Sequence, residues 1–154
     1  MKDVTTIKLG IGLGDLRFGS TRDEVEAYLG QPDRLESNVE PGACPMWYYD
    51  SIGVTISFND DDPRLNIIET SSPSATLNGH TLIGKTKDEV MPFIESNISG
   101  SHEEERHDLE DDGDSRECIL SFSSQNLNLW FEDDILTEIQ WGYLTDENGQ
   151  VVWP

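Results

Sequence analysis

Gly19-Ser20-Thr21-Arg22-Asp23-Glu24-Val25 recurs further along the chain as Gly84-Lys85-Thr86-Lys87-Asp88-Glu89-Val90. In both copies a Thr stands three residues before a Glu. The Thr hydroxyl can accept from the backbone N–H three residues on while the Glu reaches back to the Thr N–H, so each copy reads as a capping box that opens a helix. Each helix then shows one apolar stripe at i, i+3 and i+4: Val25, Tyr28 and Leu29 in the first, Val90, Phe93 and Ile94 in the second. Gly30 followed by Pro32 stops the first helix. Pro92 removes a backbone donor inside the second, which predicts a shortened or kinked helix there.

Outward from each helix the period changes to two. Trp47-Tyr48-Tyr49 and Val54-Thr55-Ile56-Ser57-Phe58 follow the first helix, and Cys118 to Phe122 and Leu127-Asn128-Leu129-Trp130-Phe131 follow the second. Acidic turns come next, Asp60-Asp61-Asp62-Pro63 and Glu132-Asp133-Asp134, and then a third strand, Leu65 to Thr70 or Ile135 to Tyr143. The expected fold is α+β, made of two tandem units (1–76 and 77–154), each a short helix packed on an antiparallel β meander. Their sheets are free to join into one concave surface. A helix covers one face of such a sheet and leaves the other to water or to a partner.

The run Leu16-x-Phe18-Gly19-x-Thr21-x-Asp23-Glu24-Val25-x-x-x-Leu29-Gly30-x-Pro32, followed by Trp47-x-Tyr49, resembles the motif of the BamE (SmpA) lipoprotein family. The doubled arrangement is similar to that of beta-lactamase inhibitory protein, in which two such units stand in tandem. The resemblance implies a tandem repeat with a shared sheet surface. It also implies a rival role, structural or scaffold assembly of the outer-membrane kind.

Composition narrows the partners. The chain has 154 residues and a formal net charge of -21, from 31 Asp and Glu against 10 Lys and Arg. A groove for phosphates must neutralise charge with Lys and Arg, so nucleic acid is not expected. A basic protein is, because long-range attraction steers encounter and sets on-rate. No apolar run approaches a secretory core or a membrane span, so no membrane association and a cytoplasmic location are expected. Cys44 and Cys118 lack CxxC spacing and paired His neighbours, and read as reduced, partly buried thiols.

Motifs for chemistry fail on spacing. His102 and His107 are five residues apart, not the four that would put two zinc ligands on one helix face. The charged run from Glu103 onward reads as a solvated acidic loop. Asp108-x-Glu110-x-Asp112-Gly113 starts like a calcium loop, but Ile119 stands where the bidentate Glu belongs. Gly10-Ile11-Gly12-Leu13-Gly14 lies too far before the helix start to cradle a nucleotide and reads as a turn or bulge. No nucleophile can be nominated, and carboxylates are so plentiful that a close pair means nothing without burial. The expectation is a protein that is not an enzyme, with no cofactor and no metal.

Alternation places the binding surface. If Val54, Ile56, Phe58, Leu127, Leu129 and Phe131 face the helices, then Thr55, Ser57, Asn128 and Trp130 face the other way, and Tyr48 joins them. The expected partner-binding residues are Tyr48, Trp130 and Asn128, ringed by the acidic Glu103, Glu104, Glu105, Asp111, Asp112 and Asp133. This surface is either open to a basic partner or covered by Val151-Val152-Trp153-Pro154 or a second subunit. The functional expectation is an acidic inhibitor or immunity-type protein that blocks a basic enzyme such as a toxin nuclease.

Overall fold

The structure is a computed structural model that describes residues 3–35, 46–58, 64–98, 100–108 and 116–154. The chain opens with β1 (Thr6–Lys8), β2 (Gly12–Leu13), β3 (Leu16–Arg17) and α1 (Arg22–Leu29). β4 (Arg34–Leu35), β5 (Met46–Tyr49), β6 (Val54–Phe58), β7 (Leu65–Thr70), β8 (Thr76–Leu77) and β9 (His80–Thr81) lead to α2 (Lys87–Asn97). β10 (Glu103–Asp108), β11 (Arg116–Phe122), β12 (Leu127–Glu132), β13 (Ile135–Gly142), β14 (Leu144–Thr145) and β15 (Val151–Val152) complete it.

The expectation of two helix-on-meander units is corrected. The molecule is built on one antiparallel sheet of eight strands, in the order β10-β11-β12-β13-β7-β6-β5-β4, with a five-stranded sheet β3-β2-β1-β8-β9 and a small β14-β15 hairpin beside it. β13 pairs with β7 from Ile139↔Thr70 to Gly142↔Ile67. Each of these strands buries apolar side chains, and a free edge there would leave a row of backbone N–H and C=O groups unmatched, so the edges satisfy one another. The glycine-rich segment expected as a turn or bulge supplies β2, which with β1 and β3 on either side of it and β8 and β9 from 76–81 makes the five-stranded sheet. Its strands are too short for a periodic pattern.

A single core fills the space between the two sheets and under the helices. Val25 of α1, Val90 and Ile94 of α2, Leu13 and Leu77 of the smaller sheet, and Ile56, Leu129 and Trp141 of the larger one belong to one buried cluster. The Trp141 indole N–H donates to the Gly12 carbonyl at 3.0 Å and ties the sheets together.

Local chemistry explains the helices. Thr21 and Glu24 make both reciprocal bonds of the capping box, whereas Thr86 accepts from the Glu89 N–H but donates its hydroxyl to the Glu89 carboxylate. α2 carries Pro92 yet runs over 11 residues against 8 for α1, so the expected shortening does not occur. Burial of Val90 and Ile94 on the core holds it. The two-residue turn Asp133-Asp134 joins β12 to β13 with positive φ at both positions (50° and 71°), the geometry that matches strand twist. None of the described helices is long and apolar enough to cross a membrane.

Candidate functional site

Both helices and the smaller sheet pack against one face of the large sheet, and none of the described helices or strands covers the other, called here the open face. Register follows directly across the strands: Arg34, Tyr48, Thr55, Glu69, Gln140, Asn128, Ser121 and Glu103 form one continuous row on the open face. A second row runs Glu138, Trp130, Ile119 and Glu105, and beyond it Glu132 stands opposite Glu117. Positions on the covered face, such as Val54, Ile139, Leu129 and Leu120, are buried, while Tyr48, Thr55, Glu69, Asn128 and Trp130 are half-buried.

Two hollows sit on this face and share Glu138. One, of about 310 Å³, is lined by Arg34, Tyr48, Asp50, Thr55, Glu69 and Ser71 among others. The second, of about 290 Å³, is lined by Glu117, Trp130, Phe131, Glu132, Thr137 and Glu138. A β-bulge makes room for it. The register shifts between Trp130 and Phe131, and the extra residue Thr137 donates its hydroxyl to the Trp130 carbonyl at 3.1 Å.

The electrostatics are those of crowded carboxylates. Burial, the hydrogen bond with Glu138 and the charge of Glu138 push the Glu69 carboxyl up to about 8. At the other end, hydrogen bonds from Arg34 to Asp50, at 2.7 and 3.0 Å, hold Asp50 below its ordinary value. Arg34 also lies over the Tyr48 ring, 4.5 Å from its centroid.

The sequence matches no family profile and no curated protein. A crystal structure of an extracellular protein containing an SCP domain, from Bacillus anthracis strain Ames, is similar over 88% of this chain and 48% of its own, at 13% identity and a TM-score of 0.47. The chain thus spans about half the length of that protein. So remote a likeness bears on neither substrate nor partner.

The expected site residues divide. Tyr48, Trp130 and Asn128 reach the open face, with Asn128 donating to the Gln140 side chain at 2.9 Å. Glu103 and Glu105 stand on that face too, but in a strand: the run from Glu103 to Asp108 is the edge strand β10, not a loop. Alternation turns Glu104 to the covered face, where it pairs with Lys87 of α2 and accepts from the Cys118 thiol at 3.3 Å. Asp133 sits at the tip of the β12–β13 turn, next to Glu132, and lines neither hollow. Asp111, Asp112 and Cys44 lie outside the described residues, as do most of the calcium-like run and the turn at 60–63.

The C-terminal tail takes another place. Trp153 packs on Tyr143 and against Gly19, and no residue of the tail lines either hollow of the open face. Among the described residues, no group of three or more His, Cys, Asp and Glu is placed to hold a metal ion. Sequence reasoning missed Glu69, Glu117, Glu132, Glu138 and Arg34. The alternation that found Tyr48 also covers Glu69. Glu138 escapes it because the bulge at Thr137 shifts the phase.

Proposed function

We propose that this chain is a non-catalytic acidic binding module that captures and blocks a basic protein, in the manner of an inhibitor or an immunity protein facing a toxin nuclease. One observation carries the reading: a sheet face that no described helix or strand covers, on which Tyr48 and Trp130 stand among Glu69, Glu138, Glu132 and Glu117. Aromatic anchors among charges of one sign suit a hot spot for a partner of opposite sign. Glu117 directly opposite Glu132 works against the stability of the isolated sheet. A cationic partner would relieve that repulsion, which gives a reason for its presence.

The scaffold alternative, assembly through sheet edges, has less support. β10 is an edge strand whose sequence, Glu-Glu-Glu-Arg-His-Asp, is charged at five of its six positions, and charged edges resist strand addition.

The test is capture from the native cell on immobilised protein, elution with salt, and binding of each purified, identified protein. A basic protein should bind with an affinity that falls steeply with ionic strength. Ala at Tyr48 or Trp130 should cost about 2 kcal/mol. Recovery of only neutral or acidic proteins, or affinities unmoved by both substitutions, would overturn the reading.

A further inference from the structure

The two hollows beside Glu138 differ in one respect. The Tyr48 hollow already holds a guanidinium, that of Arg34, laid on the aromatic ring at 4.5 Å and clamped by both oxygens of Asp50 at 2.7 and 3.0 Å. An aromatic face with a forked carboxylate is the environment a guanidinium fits best, being planar, weakly hydrated and armed with parallel donors. The Trp130 hollow offers the same parts, an indole and the carboxylates of Glu117, Glu132 and Glu138, and among the described residues no Lys or Arg lines it. The Trp130 indole N–H is itself buried with no acceptor among the described residues. A guanidinium carries only donors and cannot satisfy that N–H, so the contact with an arginine is made by the indole ring and the carboxylates.

We propose that the Trp130 hollow is the seat for an arginine side chain of the basic partner, its guanidinium held between the indole and the carboxylates of Glu117, Glu132 and Glu138. The inference rests on the reading of this chain as a binder of basic proteins, and it commits that reading to one side chain and one place. It selects arginine over lysine: an ammonium ion is a point charge without the fork or the flat face. The chain's own Arg34 on Tyr48 and Asp50 shows the geometry of such a contact on this same surface.

Hexa-arginine and hexa-lysine peptides are the probes, titrated calorimetrically at fixed salt, with the indole N–H signals followed by NMR and that of Trp130 assigned from Trp130→Phe. Glu132→Gln removes an exposed clamp. Glu95→Gln removes the same charge from the outer face of α2. Hexa-arginine should bind more tightly than hexa-lysine and shift the Trp130 indole signal. Glu132→Gln should weaken it about tenfold, while Glu95→Gln leaves it close to the parent. Equal weakening by the two substitutions, or equal affinity for the two peptides, would mean diffuse attraction: the seat falls and the acidic-binder reading stands. Absence of binding by either peptide at low salt would overturn both.

Discussion

Glu69 of β7 and Glu138 of β13 meet carboxyl to carboxyl where the two strands pair, and Glu69 retains its proton up to about pH 8. The Glu69 carboxyl is therefore neutral near pH 7. Two like charges in partial burial cannot both be kept, and the shared proton resolves the conflict. Glu138 also borders the Trp130 hollow, so this proton stands next to the place where a cation is proposed to arrive.

The pair makes stability depend on pH. The folded-state value of Glu69 lies above its ordinary 4.5, so the native protein binds more protons than the unfolded chain. Its contribution is fully present below about pH 4.5 and is lost as pH rises through about 8. Thermal melts between pH 5 and 9, as rough bounds of that window, should show a decline for the parent that is flatter in Glu69→Gln. The decline should persist in Glu95→Gln, which separates the pair from general charge repulsion.

The same proton should report on binding. A guanidinium beside Glu138 favours the charged form of Glu69, so capture releases a proton and tightens as pH rises. The groups facing the pair are Thr55 and Tyr48 from β6 and β5, Arg34 from β4, Asp50 from the turn after β5, and Gln140 beside Glu138 on β13. Glu132 and Glu117 lie beyond Trp130. Calorimetry of hexa-arginine in two buffers of different ionisation enthalpy, near neutral pH, should reveal proton release in the parent and almost none in Glu69→Gln. Identical proton counts in the two proteins would place the cation elsewhere.

How much of this was legible in the sequence follows from how local each feature is. The start of α1 needs only Thr21 and Glu24, and the facing of Tyr48, Val54, Ile56, Leu129 and Trp130 needs only alternation, so both could be read directly. Pairing of Glu69 with Glu138 requires β7 to lie against β13, a contact between strands far apart in the chain that no local pattern announces. The five-stranded sheet was hidden for another reason: Gly12–Leu13 and Leu16–Arg17 are two residues each and offer nothing to count. The run from Glu103 misled because its charge suggests solvent, whereas its backbone pairs with β11 from Glu103↔Ser121 onward. An edge strand has only one strand neighbour to satisfy and tolerates such a sequence.

Trp141 tests whether the two sheets share one folding transition. Its indole is buried and donates to Gly12 of the smaller sheet. Trp141→Phe removes that hydrogen bond and opens space in the core, a loss of about 2 kcal/mol. Urea unfolding followed by far-ultraviolet circular dichroism and by fluorescence of the remaining tryptophans should shift together to lower midpoint. Two separated transitions would show that the smaller sheet unfolds alone.

Arg34 offers the sharpest check on the arginine seat, because it is read as an internal occupant of the neighbouring one. Its ion pair with Asp50 is exposed, at 64% and 54% of the two side chains, so the pair adds little to stability and Arg34→Ala should fold with a melting temperature near that of the parent. The substitution removes the guanidinium from the Tyr48 ring and the Arg34 ion pair from Asp50. If aromatic face plus carboxylate is what this surface uses to hold a guanidinium, hexa-arginine should now find a second place and bind more tightly, with new NMR shifts at Tyr48 in addition to those at Trp130. Arg34→Lys retains the charge and discriminates further. If only net charge governs, it should match the parent; if the fork and the flat face matter, it should gain part of the added affinity, since an ammonium holds Tyr48 and Asp50 less well. Unchanged affinity in Arg34→Ala would leave Arg34 a simple surface ion pair and remove the internal precedent for the Trp130 seat.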